Sequence, residues 1–372
     1  MLLKDVVGQH EVKQHLIDLA QSGTIPHAQL FLAHQGAGAL AMALAFVQFI
    51  LCENPNEEDS CGVCNTCNKV QKLIHPDIHF SYPIIAKKPS PHPSLSTDYI
   101  QEWRKEIVTN PYINELEWLQ AIGAENKQGN ISADEARNIL KGLNLTAFEA
   151  KYKIHIIWMA EALAREGNIL LKLLEEPPPN TILILIAENQ EEILPTILSR
   201  CQLVKINKIQ DEAIAQALLK HGVPQSNTQH IAYLADGNFN EALKLIDSET
   251  DENTRRLTQW LDASLNMKSA ELLKWTEENG KIGRENLKVF LEYTSHIFRE
   301  SLLLLHIKNY TARLANDELQ LAKRINKFLT YQKLEMLLAL INKKHYEIER
   351  NVSPKLVLMD MSLKIYQIIR GK

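Results

Sequence analysis

The stretch Asn168–Gln202, NILLKLLEEPPPNTILILIAENQEEILPTILSRCQ, limits what this chain can fold into more than any other. Leucines at helical spacing from Ile169 to Leu174 predict an apolar helix. Pro177, Pro178 and Pro179 end it, because proline has no N–H to donate and its ring clashes with the preceding turn. Thr181–Ala187 is then apolar at nearly every position. A strand with one wet face alternates apolar and polar residues, so an almost unbroken apolar run predicts a parallel strand buried on both faces. A short helix follows and closes on Ser199-Arg200-Cys201. Position alone leaves Arg200 two readings. It is a solvated cation near a helix C-terminus, which favours positive charge, or a guanidinium that reaches outward to something else.

Two further runs read as strands of the same kind, His27–Ala33 (HAQLFLA) and Lys153–Trp158 (KIHIIW). The first leads into HQGAGALAMALAFVQFIL. A strand, a glycine-rich turn and a long apolar helix make the frame of a phosphate-binding loop, GxxxxGK[ST]. Aligned on Gly38, the first glycine is Ala33, the lysine is Ala39 and the Ser/Thr is Leu40. The lysine would neutralise the β and γ phosphates and the hydroxyl would hold Mg²⁺; Ala39 and Leu40 do neither. Gly36 and Gly38 still offer backbone N–H groups to an anion, so the residues leave weak nucleotide binding open while removing Mg-assisted hydrolysis. In ATPases of this layout, the carboxylates that hold Mg²⁺ and activate water end a strand such as Lys153–Trp158. Here Trp158 and Met159 stand in those places, and Glu161, further on, reads as a solvated helix residue.

Four of the five cysteines, Cys52, Cys61, Cys64 and Cys67, follow the glycine-rich segment with the spacing C-x8-C-x2-C-x2-C. Four thiolates suit a tetrahedral zinc, and the short spacings let one turn of backbone present several sulfurs to one ion. With four protein ligands no position is open for water, which predicts a structural site. Reduced thiols without metal and an Fe–S cluster are the alternatives. A zinc-dependent nucleic-acid adaptor would need basic and aromatic residues beside the cysteines; the flank ENPNEEDS is acidic.

At 372 residues, 45% hydrophobic and 23% charged, the chain should contain two or three domains with real cores. A net charge of −4 excludes a generally basic nucleic-acid binder. No run reaches membrane-spanning length, and MLLKDVVGQHEVKQHL lacks the shape of a signal peptide, so a cytoplasmic location is expected. Glu11–Ala20 reads as a helix. His75-Pro76-Asp77 sits in a turn, and residues 83–96 read as a loop. Thr97–Val108 looks amphipathic, with Trp103 and Trp118 available to pack this segment onto the body. Ser132 and Glu135 have the spacing of a capping box. Beyond Ile206 the strand patterns cease. Asp211–Lys220, Gln229–Leu234 and Asn240–Ile246 read as helices, and residues 251–372 are helical throughout, in a bundle.

Val6–Gln9 (VVGQ), His27–Leu32, the cysteine quartet, His75–Asp77, Leu170–Pro178 (LLKLLEEPP) and Leu194–Gln202 (LPTILSRCQ) together resemble the delta-prime subunits of the bacterial DNA polymerase III clamp loader. The specific motifs lie within residues 1–206. The resemblance implies a fold of three parts. Residues 1–206 would form an α/β AAA+ module, a parallel sheet flanked by helices, with a zinc module at about 50–75 and an insertion at about 86–129. Residues 207–250 would be a helical lid, and 251–372 an all-α collar that oligomerises. It implies structural zinc on Cys52, Cys61, Cys64 and Cys67. It implies no working ATP site in cis: the motor subunits' P-loop lysine corresponds to Ala39, their acidic pair to Trp158 and Met159, and their lid arginine falls near Asn240. Arg200, between Ser199 and Cys201, is then an arginine finger for a neighbour's nucleotide. The implied partners are gamma/tau-type motor subunits and the delta subunit, with the sliding clamp and primed DNA reached through the complex. An active motor of the same kind of complex is the alternative.

Overall fold

The computed structural model describes residues 1–85, 93–124, 128–246, 250–265, 269–308, 310, 312, 314, 316–350 and 352–370. Parts of the expected loop at 83–96 and insertion at 86–129 (residues 86–92 and 125–127) therefore lie outside the described residues. The chain divides into two compact units, one of residues 1–223 and 235–243, the other of 224–234 and 244–372.

The first unit runs α1 (His10–Gln21), β1 (Ala28–Ala33), α2 (Ala39–Leu51), α3 (Asn65–Gln71), β2 (Ile78–Ser81), α4 (Ile100–Thr109), α5 (Glu115–Ala121), α6 (Ala133–Leu143), β3 (Lys153–Trp158), α7 (Leu171–Glu175), β4 (Thr181–Ala187), α8 (Pro195–Leu198), β5 (Gln202–Ile206) and α9 (Asp211–Lys220). The strands form one sheet in the order β2-β3-β4-β1-β5, and every pairing is parallel. β4, the TILILIA run, lies at its centre and is buried at all positions. Each fully buried Leu or Ile contributes ~1.5–3 kcal/mol of hydrophobic stabilisation, which is why this run decides the fold. Leu183 and Leu185 of β4 share a core with Ala136, Ile139 and Leu143 of α6 and with Leu170, Leu173 and Leu174 around α7. α2 is apolar at every position but Gln48, whose amide is hydrogen-bonded, and is buried from Ala39 to Phe49, as an interior helix must be.

A parallel sheet has all its strand C-termini at one edge and all its N-termini at the other. The glycine turn after β1 and the residues after β3 stand at the C-terminal edge; Ser199–Cys201, just before β5, stands at the N-terminal edge. β1 and β5 pair from Gln29–Gln202 to Ala33–Ile206, five pairs and so four steps, which separates the two edges by at least ~13 Å along the strands.

The expected helix Ile169–Leu174 is a correction. Residues Ala160–Leu170 wind as 3₁₀ turns and the α-helix starts at Leu171. The capping box is also half of what was expected. Ser132 Oγ accepts the Glu135 N–H at 3.2 Å. The Glu135 carboxylate does not return the bond but turns inward, accepting from Ser81 Oγ at 2.5 Å and Ser96 N at 2.9 Å. A buried carboxylate needs such donors, and here they tie residue 96 to β2 and α6.

Trp103 and Trp118 do pack the inserted segment onto the body. Both are fully buried. Tyr82 stacks on Trp103 with centroids 4.0 Å apart, Trp118 meets Trp103 edge-on at 5.2 Å, and Trp158 lies 5.4 Å from Trp103. Trp158, at the end of β3, thus belongs to the ring cluster that anchors the insertion.

The second unit contains α10 (Gln225–Ala235), the end of α11 (Phe239–Ile246), α12 (Thr250–Leu265), α13 (Ser269–Asn279), α14 (Arg284–His306), α15 (Asn316–Ile325), α16 (Tyr331–Glu349) and α17 (Pro354–Arg370). Its core gathers Leu257, Leu287, Phe298, Leu337, Leu358 and Ile365. Trp260 stacks on Trp275 at 5.1 Å and donates its indole N–H to Ser362 Oγ at 2.7 Å. No helix among the described residues is long and apolar enough to cross a membrane.

Candidate functional site

Cys52, Cys61, Cys64 and Cys67 come together with their sulfurs all within 4.8 Å of one another, and Cys61 Sγ lies 3.9 Å from Cys67 Sγ. Local backbone does this. The N–H of Cys61 donates to Cys52 Sγ at 3.2 Å, that of Cys64 to Cys61 Sγ at 3.3 Å and that of Cys67 to Cys64 Sγ at 3.4 Å. Cys64 also caps α3. Backbone N–H groups of Val63 and Cys64 hold the Cys61 thiol down to about 6, whereas burial pushes Cys52 and Cys67 up. The donor set fits zinc: four soft sulfurs close enough to share one ion, with N–H groups aimed at three of them. His75 is not a member. It is buried against Glu149 at 3.4 Å and accepts the Asp77 N–H at Nδ1. Asp77 in turn accepts the N–H groups of Phe148, Glu149 and Ala150, so the HPD turn fastens the loop that leads into β3. The acidic flank has internal work as well. Asp59 accepts from Leu3 N and Lys4 N, each at 3.0 Å.

The glycine turn lies where the sequence places it, at the C-terminal end of β1 and the start of α2. Gly36 and Gly38 take φ values of +68° and +91°, which side chains disfavour. Gln9 of VVGQ braces the turn: its Nε2 donates to Ala37 O at 3.2 Å and to Asn207 O at 2.6 Å. Met159, after β3, carries no charge and is 8% exposed. Glu161 is not simply solvated, contrary to expectation. It accepts the N–H groups of Glu188 and Asn189 at the end of β4, and burial raises its carboxyl above the ordinary range. Ala39 and Leu40 supply neither charge nor hydroxyl, and the space above the glycines is taken by Tyr112 and Asn238.

Arg200 stands at the other edge. It is partly exposed, 33% for its side chain, and fixed by four donated bonds. Nε and Nη2 reach Glu175 Oε1 at 3.0 and 2.5 Å; Nη1 reaches Thr196 O at 3.0 Å and Ser199 Oγ at 3.1 Å. Ser199 therefore orients the guanidinium. Cys201 does not: it packs on the core under α8, and burial pushes its thiol up to about 11, so it is an inert filler. Glu175 pairs with Arg200 while 51% exposed. An exposed pair of this kind contributes only ~0–1 kcal/mol, so a competing anion can take the arginine at small cost. Sequence reasoning missed Glu175, because nothing in Glu175-Glu176-Pro177 distinguishes the first glutamate from the second. It also missed Tyr112 and Asn238, which carry no motif.

The model for the family described as DNA polymerase III, delta subunit, matches residues 8–210, more than half of the chain. DNA polymerase III subunit delta' of Bacillus subtilis (strain 168) is 26% identical over 245 residues, 66% of this chain and 60% of its own length. Subunit delta' of Haemophilus influenzae is 28% identical over 209 residues, 56% of this chain and 51% of its own. Subunit gamma of Buchnera aphidicola from Acyrthosiphon pisum is 23% identical over 360 residues, 88% of each. The match thus spans roughly half to three-fifths of the delta' relatives' length. A solved gamma subunit-related protein of Thermotoga maritima aligns over 96% of this chain and 99% of its own at 15% identity, with a TM-score of 0.41. On the family match, this chain belongs to the DNA polymerase III delta-subunit family, and it is similar to subunit delta'.

Proposed function

We propose that this chain is the non-hydrolysing, stator-like subunit of a replicative clamp loader, and that Arg200 completes the ATP site of an adjacent motor subunit. The observation that carries this reading is the placement of Arg200. It lies at the sheet edge opposite its own glycine turn, at least ~13 Å away along the strands, so it cannot serve its own loop. It is partly exposed and held only by surface partners. An arginine finger neutralises charge on the transferring phosphoryl oxygens. Its planar fork matches phosphate oxygens in a way lysine does not.

In this reading residues 1–206 are the AAA+ module, 207–250 the lid and 251–372 the collar through which gamma/tau-type motors and the delta subunit assemble. The four cysteines hold a structural zinc. ATP binding around the ring lets the complex open a sliding clamp and place it on primed DNA in the cytoplasm, without this chain turning over nucleotide. Arg200→Ala should leave the complex intact on size exclusion and lower its clamp-stimulated ATPase by about 10³-fold at the affected site, the low end of measured finger effects. Normal turnover in an intact mutant complex would sink the finger assignment.

One observation favours an active motor: the gamma relative aligns over 88% of both chains, more than either delta' relative. Mg-ATP turnover by the isolated chain separates the two readings. We expect none above background, since Ala39, Leu40, Trp158 and Met159 provide no clamp for metal or phosphate.

A further inference from the structure

The glycine turn already has an occupant. Tyr112, 5% exposed, lies over it, close enough that a Cβ added at Gly38 would be 2.8 Å from the ring. The Tyr112 hydroxyl accepts the Val7 N–H at 2.9 Å, and its ring meets Phe239 edge-on with centroids 4.9 Å apart. Asn238 presses on the other glycine: a Cβ at Gly36 would lie 1.7 Å from Asn238 Oδ1, and Phe239 N donates to Gly36 O at 3.0 Å. Beside them Asn240, 1% exposed, accepts from Asn110 Nδ2 at 2.6 Å and donates to the Glu117 carboxylate at 2.8 and 3.0 Å. Glu117 is itself fixed, since with Asn114 it completes the capping box of α5. The pocket left between the turn, Tyr112 and Trp158 is half-open to solvent and its inner part is about 30 Å³, room for a water or two.

We propose that the segment Asn110–Glu117 is a built-in surrogate for a nucleotide. It fills the volume above the phosphate loop, excludes nucleoside di- and triphosphates sterically, and ties residues 238–240 to the sheet in their place. In a nucleotide-binding loop the ligand bridges the turn and the elements that close over it. Here Tyr112 and Asn110 make that bridge covalently part of the chain, so it holds whether or not nucleotide is present. The two glycines then have a reason independent of phosphate: each has a positive φ, and each lets a side chain of this chain approach its backbone where a Cβ would collide. The absent lysine is one barrier to binding and the plug is a second. The surrogate does not involve Arg200, and it is tested on the isolated chain. Its failure is therefore distinguishable from failure of the finger, which is read in the assembled complex.

The test uses the full chain and fluorescent mant-ADP and mant-ATP with Mg²⁺. The double variant Ala39→Lys with Leu40→Thr restores the charge and the hydroxyl but leaves the plug. Adding Tyr112→Gly removes the plug. The triple variant should bind both probes at least tenfold more tightly than the double, a difference of about 1.4 kcal/mol. Equal binding by double and triple, or none by either while both melt as cooperatively as the parent, overturns the proposal. Hydrogen exchange on the unaltered chain covers the case of a variant that does not fold. Amides 36–42 and 239–243 should be protected without ligand and unchanged by millimolar ADP or ATP; slowing on nucleotide addition overturns the proposal. In Tyr112→Ala the amides of 239–243 should exchange about tenfold faster, which corresponds to the same 1.4 kcal/mol, while those of β4 keep their rates. Unchanged exchange at 239–243 would show that the tyrosine ties nothing.

Discussion

The two edges of the sheet were given similar materials and put to different use. At the C-terminal edge a glycine turn, a strand end and an inserted segment converge and pack against one another, with Tyr112 over Gly38, Asn238 over Gly36 and Trp158 against Trp103. At the N-terminal edge, Arg200 is held by Glu175, Ser199 and the Thr196 carbonyl, all near the surface. The difference is one of solvent. A buried ring is held by many contacts at once, whereas an ion pair in water can be exchanged for another at almost no cost. In the proposed reading one edge is closed to nucleotide and the other is available to a neighbour.

Loss of Arg200 is the largest effect expected, and it should appear only in the complex. Next is removal of zinc, which sharpens the contrast. The cysteine module is bonded through Asp59 to Leu3 and Lys4, on the segment whose Val7 donates to Tyr112. Elemental analysis should give about one zinc per chain, because four thiolates complete one tetrahedral site. Cys64→Ser should lose the metal and lower the melting temperature, since structural zinc supplies folding free energy of several kcal/mol. Hydrogen exchange should rise over residues 1–9 and 110–117 and stay unchanged at 196–203. A uniform rise over both edges would break the distinction.

Acid should also act first on the closed side. His155 is buried in β3 with Nε2 2.9 Å from Ser81 Oγ, and burial together with His79, 6.0 Å away, lowers its pKa to about 3. Ser81 donates to Glu135, which receives Ser96 of the insertion. The unfolded chain binds a proton at His155 below its ordinary value of about 6.5 and the folded chain does not. Stability from this group is therefore complete above that value and falls as pH drops toward 3, by about 2 kcal/mol at pH 5. His155→Gln should flatten that part of the pH–stability curve, measured by urea unfolding between pH 5 and 7.5. An unaltered slope would show that His155 is protonated in the fold or is not the group responsible.

The smallest effect belongs to the open edge. Glu175→Ala frees Arg200 from an exposed ion pair of ~0–1 kcal/mol, so complex ATPase should change less than about fivefold and global stability hardly at all. Loss as deep as that of Arg200→Ala would mean that Glu175 takes part in the site and does not merely park the arginine.

Local patterns in the sequence were sufficient for the three inner strands β1, β3 and β4, though not for the edge strands β2 and β5, and also for the order of glycine turn and helix, for the cysteine quartet and for the absence of lysine, hydroxyl and carboxylates at 39, 40, 158 and 159. Each depends on residues a few positions apart, where backbone geometry alone sets what can meet. Even there the capping Glu135 was misread, because a core 54 residues away competed for its carboxylate and won. Tyr112 meets Val7 across 105 residues and Asn240 meets Glu117 across 123. Arg200 meets Glu175 only because α7 and α8 pack side by side. No periodicity records such meetings. The sequence by itself determined that positions 39, 40, 158 and 159 carry no lysine, hydroxyl or carboxylate, since chemistry missing from the side chains cannot be restored by folding. Only the tertiary structure decided what fills the space left behind and which way the arginine faces, since both depend on surfaces that exist after the sheet has formed.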